Sequence, residues 1–222
     1  PGQFTMGHEV ELTIMFADLR GFTTMSEKKL PFDVVYLLNQ YFETMGKVIE
    51  SNGGKIDKYI GDGIMATFGD DGDVAKGAIN GLMAAKGMAE KLQEMNERLV
   101  NDLAEPLRLG IGLHTGTVIK GTMGYGSATK VTVIGDTVNT AARMESHGEP
   151  DRIQVSAETV APLSWIPKSH LTASSHACGA PAGGRTEAAR GAAAAASPCG
   201  CAPTRGAPCS VIFESAVFSS SA

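Results

Sequence analysis

The chain has 222 residues, 43% of them hydrophobic, and a formal net charge of −5, enough for one good-sized domain or one domain with an appendage. That mild acidic balance lacks the basic excess or basic face of a nucleic-acid binder. No apolar run approaches the ~18 residues that span a bilayer, so no membrane contact is expected from this segment.

Taken in chain order, "VELTIMFAD" (Val10 to Asp18) is a compact apolar run ending in a polar residue, a buried strand. "RGFTTMSEKKLP" reads as a loop leading to Pro31, which suits the first turn of a helix. Phe32, Val35, Leu38, Phe42, Met45 and Ile49 then recur at helical spacing, an amphipathic helix stopped by Asn52-Gly53-Gly54. Lys55–Tyr59 and Ile64–Phe68 flank Gly61-Asp62-Gly63 as the strands of a tight hairpin. A second long helix covers Val74 to Val100. The strands "LRLGIGLHTG", "TVIKGTMG" and "KVTVIG" follow. "DTVNTAARMESHG" reads as a third helix, with Asp136 near its N-terminus and Gly148 as its stop, and "RIQVS" is a last strand.

This order is that of an α+β, ferredoxin-like βαββαβ core with a C-terminal extension. In that topology the first strand lies antiparallel beside the third, so Asp18 and Asp62 meet at one end of one sheet. Alone, an Asp after a strand reads as a cap or solvated surface, and a Gly-Asp-Gly as a turn. Together the two carboxylates suit a hard divalent cation, Mg²⁺ taking one or two carboxylates plus phosphates and water. "RGFTT" adds backbone N–H groups suited to phosphate oxygens.

With these residues in place, the sequence resembles the class III nucleotidyl cyclases, most closely the microbial adenylyl cyclases. "FADLRGFT" and "DKYIGDGIMATFG" look like the two metal-binding segments of the family. "LGIGLHTGTVIKGTMG" looks like its central strand pair, and "VTVIGDTVNTAARMES" like its catalytic helix region. The resemblance implies the conversion of ATP to 3′,5′-cyclic AMP and pyrophosphate with two divalent cations, Mg²⁺ or Mn²⁺. Asp18 and Asp62 match the metal ligands, with the Leu19 carbonyl assisting and Phe22 and Thr23 near the phosphates. Asn139 matches the residue that holds the ribose, and Arg143 the one that stabilises charge on the α-phosphoryl group. Lys58 and Thr132 match the base-selecting pair and go with adenine: Lys can donate to N1, and a Thr oxygen can accept from the 6-amino group. The resemblance further implies a head-to-tail homodimer, metal ligands from one domain facing base, ribose and Arg contacts from the other. A guanylyl cyclase is opposed by Lys58 and Thr132. A catalytically weak or inactive module that binds nucleotide or dimerises is the alternative of another class.

Other residues compete poorly. His114 reads as a structural strand-end histidine, and His8 and His147 have no ligand-spaced partners. "GTMGYGSATK" lacks the spacing of a phosphate loop and reads as a hairpin turn. The helix methionines read as core filler.

The catalytic domain is therefore assigned to 8–160. From 161 to 222 the chain turns rich in Ala, Gly, Pro and Cys, read as a low-complexity, disordered or frame-shifted tail. No lysine follows Lys168, so the family's triphosphate-contacting lysine is missing. All four cysteines (Cys178, Cys199, Cys201 and Cys209) fall in this tail. Their spacing is not that of a zinc site, and the Cys-free remainder fits a reducing cytoplasm. The absence of a basic n-region and apolar h-region argues against a signal peptide. A start at Pro1 rather than Met fits a fragment of a longer, regulated protein with upstream domains, whether or not that parent is tethered to a membrane.

Overall fold

The computed structural model describes residues 7–27 and 29–163, together with the backbone of two short strands further on. Strand β1 (His8–Arg20) is followed by helices α1 (Phe22–Ser26) and α2 (Pro31–Ser51), the hairpin β2 (Lys55–Ile60) and β3 (Gly63–Phe68), and helix α3 (Val74–Arg98). Then come β4 (Arg108–Met123), β5 (Lys130–Ile134), α4 (Asp136–His147), β6 (Arg152–Ser156), α5 (Ala157–Val160), β7 (Thr172–Ala173) and β8 (Ser210–Phe213). The sheet order is β2-β3-β1-β4-β6-β8-β7, with β5 paired to β4. The expected antiparallel pairing of β1 with β3 is present, from Thr13–Phe68 to Ala17–Ile64.

Alternation along β1 divides its side chains between two cores. Met15, Ala17 and Leu19 face the cluster formed with α2 and α3. Leu12 and Ile14 face a smaller cluster with Met65, Val118, Val133 and Ala141 of α4. Asp18 and Arg20 continue this second row, so both emerge on the α4 side.

Several elements differ from their sequence reading. The "RGFTTMSEKKLP" segment opens with a short helix, α1, entered through Gly21 at φ 74°, a left-handed conformation. "LRLGIGLHTG" and "TVIKGTMG" are one continuous strand, because β1 pairs along β4 from Arg20–Arg108 to His8–Lys120. The glycines between them do not turn the chain; they admit α4. A Cβ on Gly112 would lie 2.5 Å from the Glu145 amide nitrogen, and one on Gly116 2.9 Å from the Thr137 hydroxyl. On α2 the buried stripe is Leu37, Tyr41, Met45 and Ile49, whereas Phe32 and Val35, near its N-terminus, are exposed.

The sheet also continues past "RIQVS". β8 pairs antiparallel with β6 (Ile153–Phe213 to Ser156–Ser210) and with β7, so the β6 edge is covered. The remainder of the segment from 164 onward, including the cysteines and the missing-lysine region, lies outside the described residues. No helix among the described residues is long and apolar enough to cross a membrane.

Substituting Gly112→Ala should destabilise the fold by about 1–3 kcal/mol, since its methyl group meets helix backbone, which yields less readily than a side chain. Urea unfolding of wild type and variant measures this directly.

Candidate active site

The site begins at the end of the β1–β3 ladder. β1 carries Asp18 past its last partner pair, Ala17–Ile64, while the β2–β3 turn holds Asp62 between Gly61 (φ 62°) and Gly63. A Cβ on Gly63 would sit 3.1 Å from Asp18 Oδ1, a tight contact, so glycine leaves the most room beside this carboxylate. Burial raises the pKa of Asp18, and the Asp62 charge raises it further against an opposing effect of Arg20. Asp62 is raised by burial as well.

Leu19 lies past the same ladder, its side chain buried and its amide bonded to the Asp18 carboxylate. On the other side the Leu109 amide is taken by Asp151 Oδ1 at 3.2 Å. Phe22 packs into the main core, so only its backbone can face a phosphate, whereas Thr23 is exposed in the first turn of α1.

Three groups near this end had no place in the sequence reading. Arg20 Nη2 pairs with Glu145 Oε1 at 2.7 Å and also donates to the Glu145 carbonyl. Glu145 sits on the inner face of α4, and burial pushes its carboxyl up to about 7, with Asp18 and Asp62 adding to the rise and Arg20 opposing it. The Tyr41 hydroxyl is buried from the α2 side without a hydrogen-bond partner among the described residues. Burial raises its pKa, as do the charges of Asp18, Asp62 and Glu145. Neither Glu145 nor Tyr41 carries a local sequence signal, since each reads as one more residue of an amphipathic helix.

This arrangement fits a divalent cation. Two part-buried carboxylates, both with raised proton affinity and one of them raised further by the charge of the other, are a donor set short of positive charge. No group of three or more His, Cys, Asp or Glu residues able to hold a metal ion occurs among the described residues. The remaining oxygens would have to come from backbone, water or a bound phosphate.

A second group forms around β2. Thr132 on β5 donates to Asp57 Oδ2 at 2.7 Å, and Lys58 Nζ lies 3.1 Å from the same oxygen. Lys58 and Thr132 are thus brought together although β2 and β5 are not sheet neighbours. The link is the β4–β5 arm, which folds back so that Val133 joins Met65 and Leu12 in the smaller core. Asn139 and Arg143 are one turn apart and both exposed on the outer face of α4. Arg143 donates to Thr140 Oγ1 at 3.0 Å and lies 3.7 Å from Asp136. Among the described residues no hydrogen bond or ion pair joins Asp18 or Asp62 to Lys58, Thr132, Asn139 or Arg143.

His114 is a mid-strand residue, not a strand-end one. It bonds Ser156 at 2.8 Å within a hydroxyl network that includes Thr13, Thr115 and Thr159, and burial lowers its pKa. Its role is structural. "GTMGYGSATK" is the β4–β5 hairpin turn, closed by the pair Met123–Lys130.

Comparison with known proteins agrees with this architecture. The family model of the adenylate and guanylate cyclase catalytic domain matches residues 5–178. An adenylate cyclase of Anabaena cylindrica is 43% identical over 135 residues, 60% of this chain but 26% of that protein. The structure of the adenylyl cyclase CyaB from P. aeruginosa superposes with a TM-score of 0.73 at 26% identity, covering 93% of this chain and 94% of the other. That of the guanylyl cyclase Cya2 superposes with a TM-score of 0.70 at 30% identity, covering 94% and 92%. The chain belongs to the class III adenylate and guanylate cyclase catalytic domain family. It spans about a quarter of the length of the Anabaena relative, and both nucleotide specificities occur among its neighbours.

Without bound cation, the raised carboxyl groups make stability depend on pH. The folded state holds the Glu145 proton more tightly than the unfolded chain, whose value is near 4.5. Its contribution is therefore full below about 4.5 and is lost as pH rises through about 7. Thermal melting in chelator should show stability declining across this window, and Glu145→Gln should flatten the decline.

Proposed function

We propose that this domain is an adenylate cyclase, converting ATP to 3′,5′-cyclic AMP and pyrophosphate in cyclic-nucleotide signalling. The observation that carries the choice of ATP is the convergence of Lys58 and Thr132 on Asp57, which sets an ammonium donor beside a hydroxyl. An adenine edge offers an acceptor at N1 and a donor at the 6-amino group, and these two groups complement it.

In the reaction the ribose 3′-oxygen attacks the α-phosphorus in line. The new O3′–P bond forms as the bond to the β-phosphate bridge breaks, pyrophosphate leaves, and the 3′-hydroxyl proton is lost. Asn139 orients the ribose and Arg143 stabilises the charge growing on the α-phosphoryl oxygens, a task suited to a fixed guanidinium. The amides of Phe22 and Thr23 hold phosphate oxygens. Asp18 and Asp62, with the Leu19 carbonyl, would hold two divalent cations, Mg²⁺ or Mn²⁺. Those ions supply activation of the hydroxyl and neutralisation of the departing pyrophosphate.

The two residue sets of one chain serve two different sites in a head-to-tail homodimer. Supporting this are the exposed apolar side chains Phe32, Val35 and Tyr36 on α2, Tyr59 and Ile60 on the hairpin, and Tyr125, Val131 and Ile134 on the β4–β5 arm. Such surface is costly to leave in water and is the usual material of an interface. The parent protein is proposed to carry an upstream regulatory domain and to present this domain to the cytoplasm.

Purified domain incubated with Mn²⁺ or Mg²⁺ should form cyclic AMP from ATP and little cyclic GMP from GTP. Asp62→Ala and Arg143→Ala should each lower kcat by about 10²–10³-fold or more, the usual cost of losing one group aimed at transition-state charge. Cyclic GMP as the main product, or a folded dimer yielding neither product, would overturn the proposal. Mn²⁺ at a hundredfold excess over its Kd should stabilise the wild type by about 2.7 kcal/mol. Asp18→Asn should lose that gain while being at least as stable as wild type in chelator.

A further inference from the structure

β2 contains a β-bulge whose position bears on base selection. The β2–β3 register runs Ile56–Ala66 and then Lys58–Met65, so Asp57 is the extra residue. Ile56 reaches Gly46 of α2, and the Tyr59 ring packs on Phe42 of α2 with centroids 4.4 Å apart. Between them the bulge turns two consecutive side chains, Asp57 and Lys58, to the opposite face, where a regular strand would present one. There the Asp57 carboxylate, only 6% exposed, accepts from the Thr132 hydroxyl at 2.7 Å and lies 3.1 Å from the Lys58 ammonium.

A threonine hydroxyl by itself does not discriminate adenine from guanine at the 6-position. It can accept from a 6-amino group or donate to a 6-oxo group. A carboxylate beside an ammonium can only accept. By taking the single hydroxyl hydrogen of Thr132, Asp57 leaves only oxygen lone pairs facing a ligand, and so requires a donor there.

We propose that Asp57 is a specificity-determining positioning residue, which acts through Thr132 by fixing the direction of its hydroxyl so that the site demands a 6-aminopurine. This rests on the adenylate cyclase reading and deepens it. The bulge is the structural device that makes it possible, because without it Asp57 and Lys58 would point to opposite faces of the sheet.

The test compares wild type and Asp57→Asn with ATP and ITP, with GTP as a reference, and folding is followed by circular dichroism and melting. ITP carries a 6-oxo group without the 2-amino group of guanine, so it reads the 6-position. An asparagine can donate as well as accept, which frees the hydroxyl to reverse. The ratio of kcat/KM for ITP to that for ATP should rise about tenfold, the effect of one reoriented hydrogen bond, with the change in KM for ATP rather than in kcat. In a Thr132→Val background the same substitution should leave the ratio unchanged, since the residues then have no shared hydrogen bond. Calorimetric binding of 3′-deoxy-ATP and 3′-deoxy-ITP, which cannot cyclise, should give the same ratio without turnover. Asp57→Ser, whose hydroxyl can also donate or accept, should give the same shift and replaces Asn if that variant does not fold. A folded variant that weakens ATP and ITP equally overturns the inference, as does one that shifts the ratio as much in the Thr132→Val background as with Thr132 in place. Either result leaves the adenylate cyclase reading intact, provided wild type makes cyclic AMP. A wild type that prefers GTP overturns both.

Discussion

The register of β1 between β3 and β4 is the constraint on which the remaining structure depends. It pairs β1 with β4 over its whole length and with β3 only as far as Ala17–Ile64. A slip of one residue would exchange the two faces of β1. Met15 and Ala17 would then leave the α2–α3 core, and Asp18 would turn away from Asp62. Core composition and carboxylate placement are therefore fixed by the same pairing. The glycines follow from it too: Gly63 keeps space beside Asp18, and Gly112 and Gly116 let α4 approach the strand.

Charge at this end of the sheet is unbalanced. Asp18, Asp62 and Glu145 all have raised proton affinity, and Arg20 answers mainly Glu145. A fold selected for stability alone would have no reason to gather them. A bound cation, as proposed for this site, would supply the missing charge and recover the cost of desolvating the carboxylates. Helix α4 links this end to the residues proposed to hold the ribose and the α-phosphoryl group. Its inner face brings Glu145 to Arg20, while its outer face displays Asn139 and Arg143.

The second residue set depends on the β4–β5 arm. Folding back over the sheet, the arm buries Val133 in the smaller core and sets Thr132 on Asp57. A packing interaction thus fixes the position of a polar contact, and the polar contact fixes the direction of a hydroxyl. The apolar side chains left exposed on this arm, on α2 and on the β2–β3 hairpin are the surfaces assigned to the proposed homodimer.

Local pattern in the sequence determined the long helices and most strands, the α+β order and the juxtaposition of Asp18 with Asp62. Strand and helix periodicities are strong over long runs, and the βαββαβ topology carries two strand ends together by itself. The recurrence from Phe32 onward announced α2 correctly but not its buried face, since Phe32 and Val35 fit the spacing yet are exposed. Glycines within "LGIGLHTGTVIKG" read locally as a break, although they serve a helix that arrives twenty-odd residues later. The Arg20–Glu145 pair, the buried Tyr41 hydroxyl and the bulge at Asp57 left no mark on the sequence. Each arises from the meeting of residues far apart in the chain, or from a one-residue register shift, and periodicity encodes neither. The sequence supplied the chemical groups; their burial, their mutual charge and the face each one presents were decided by tertiary packing.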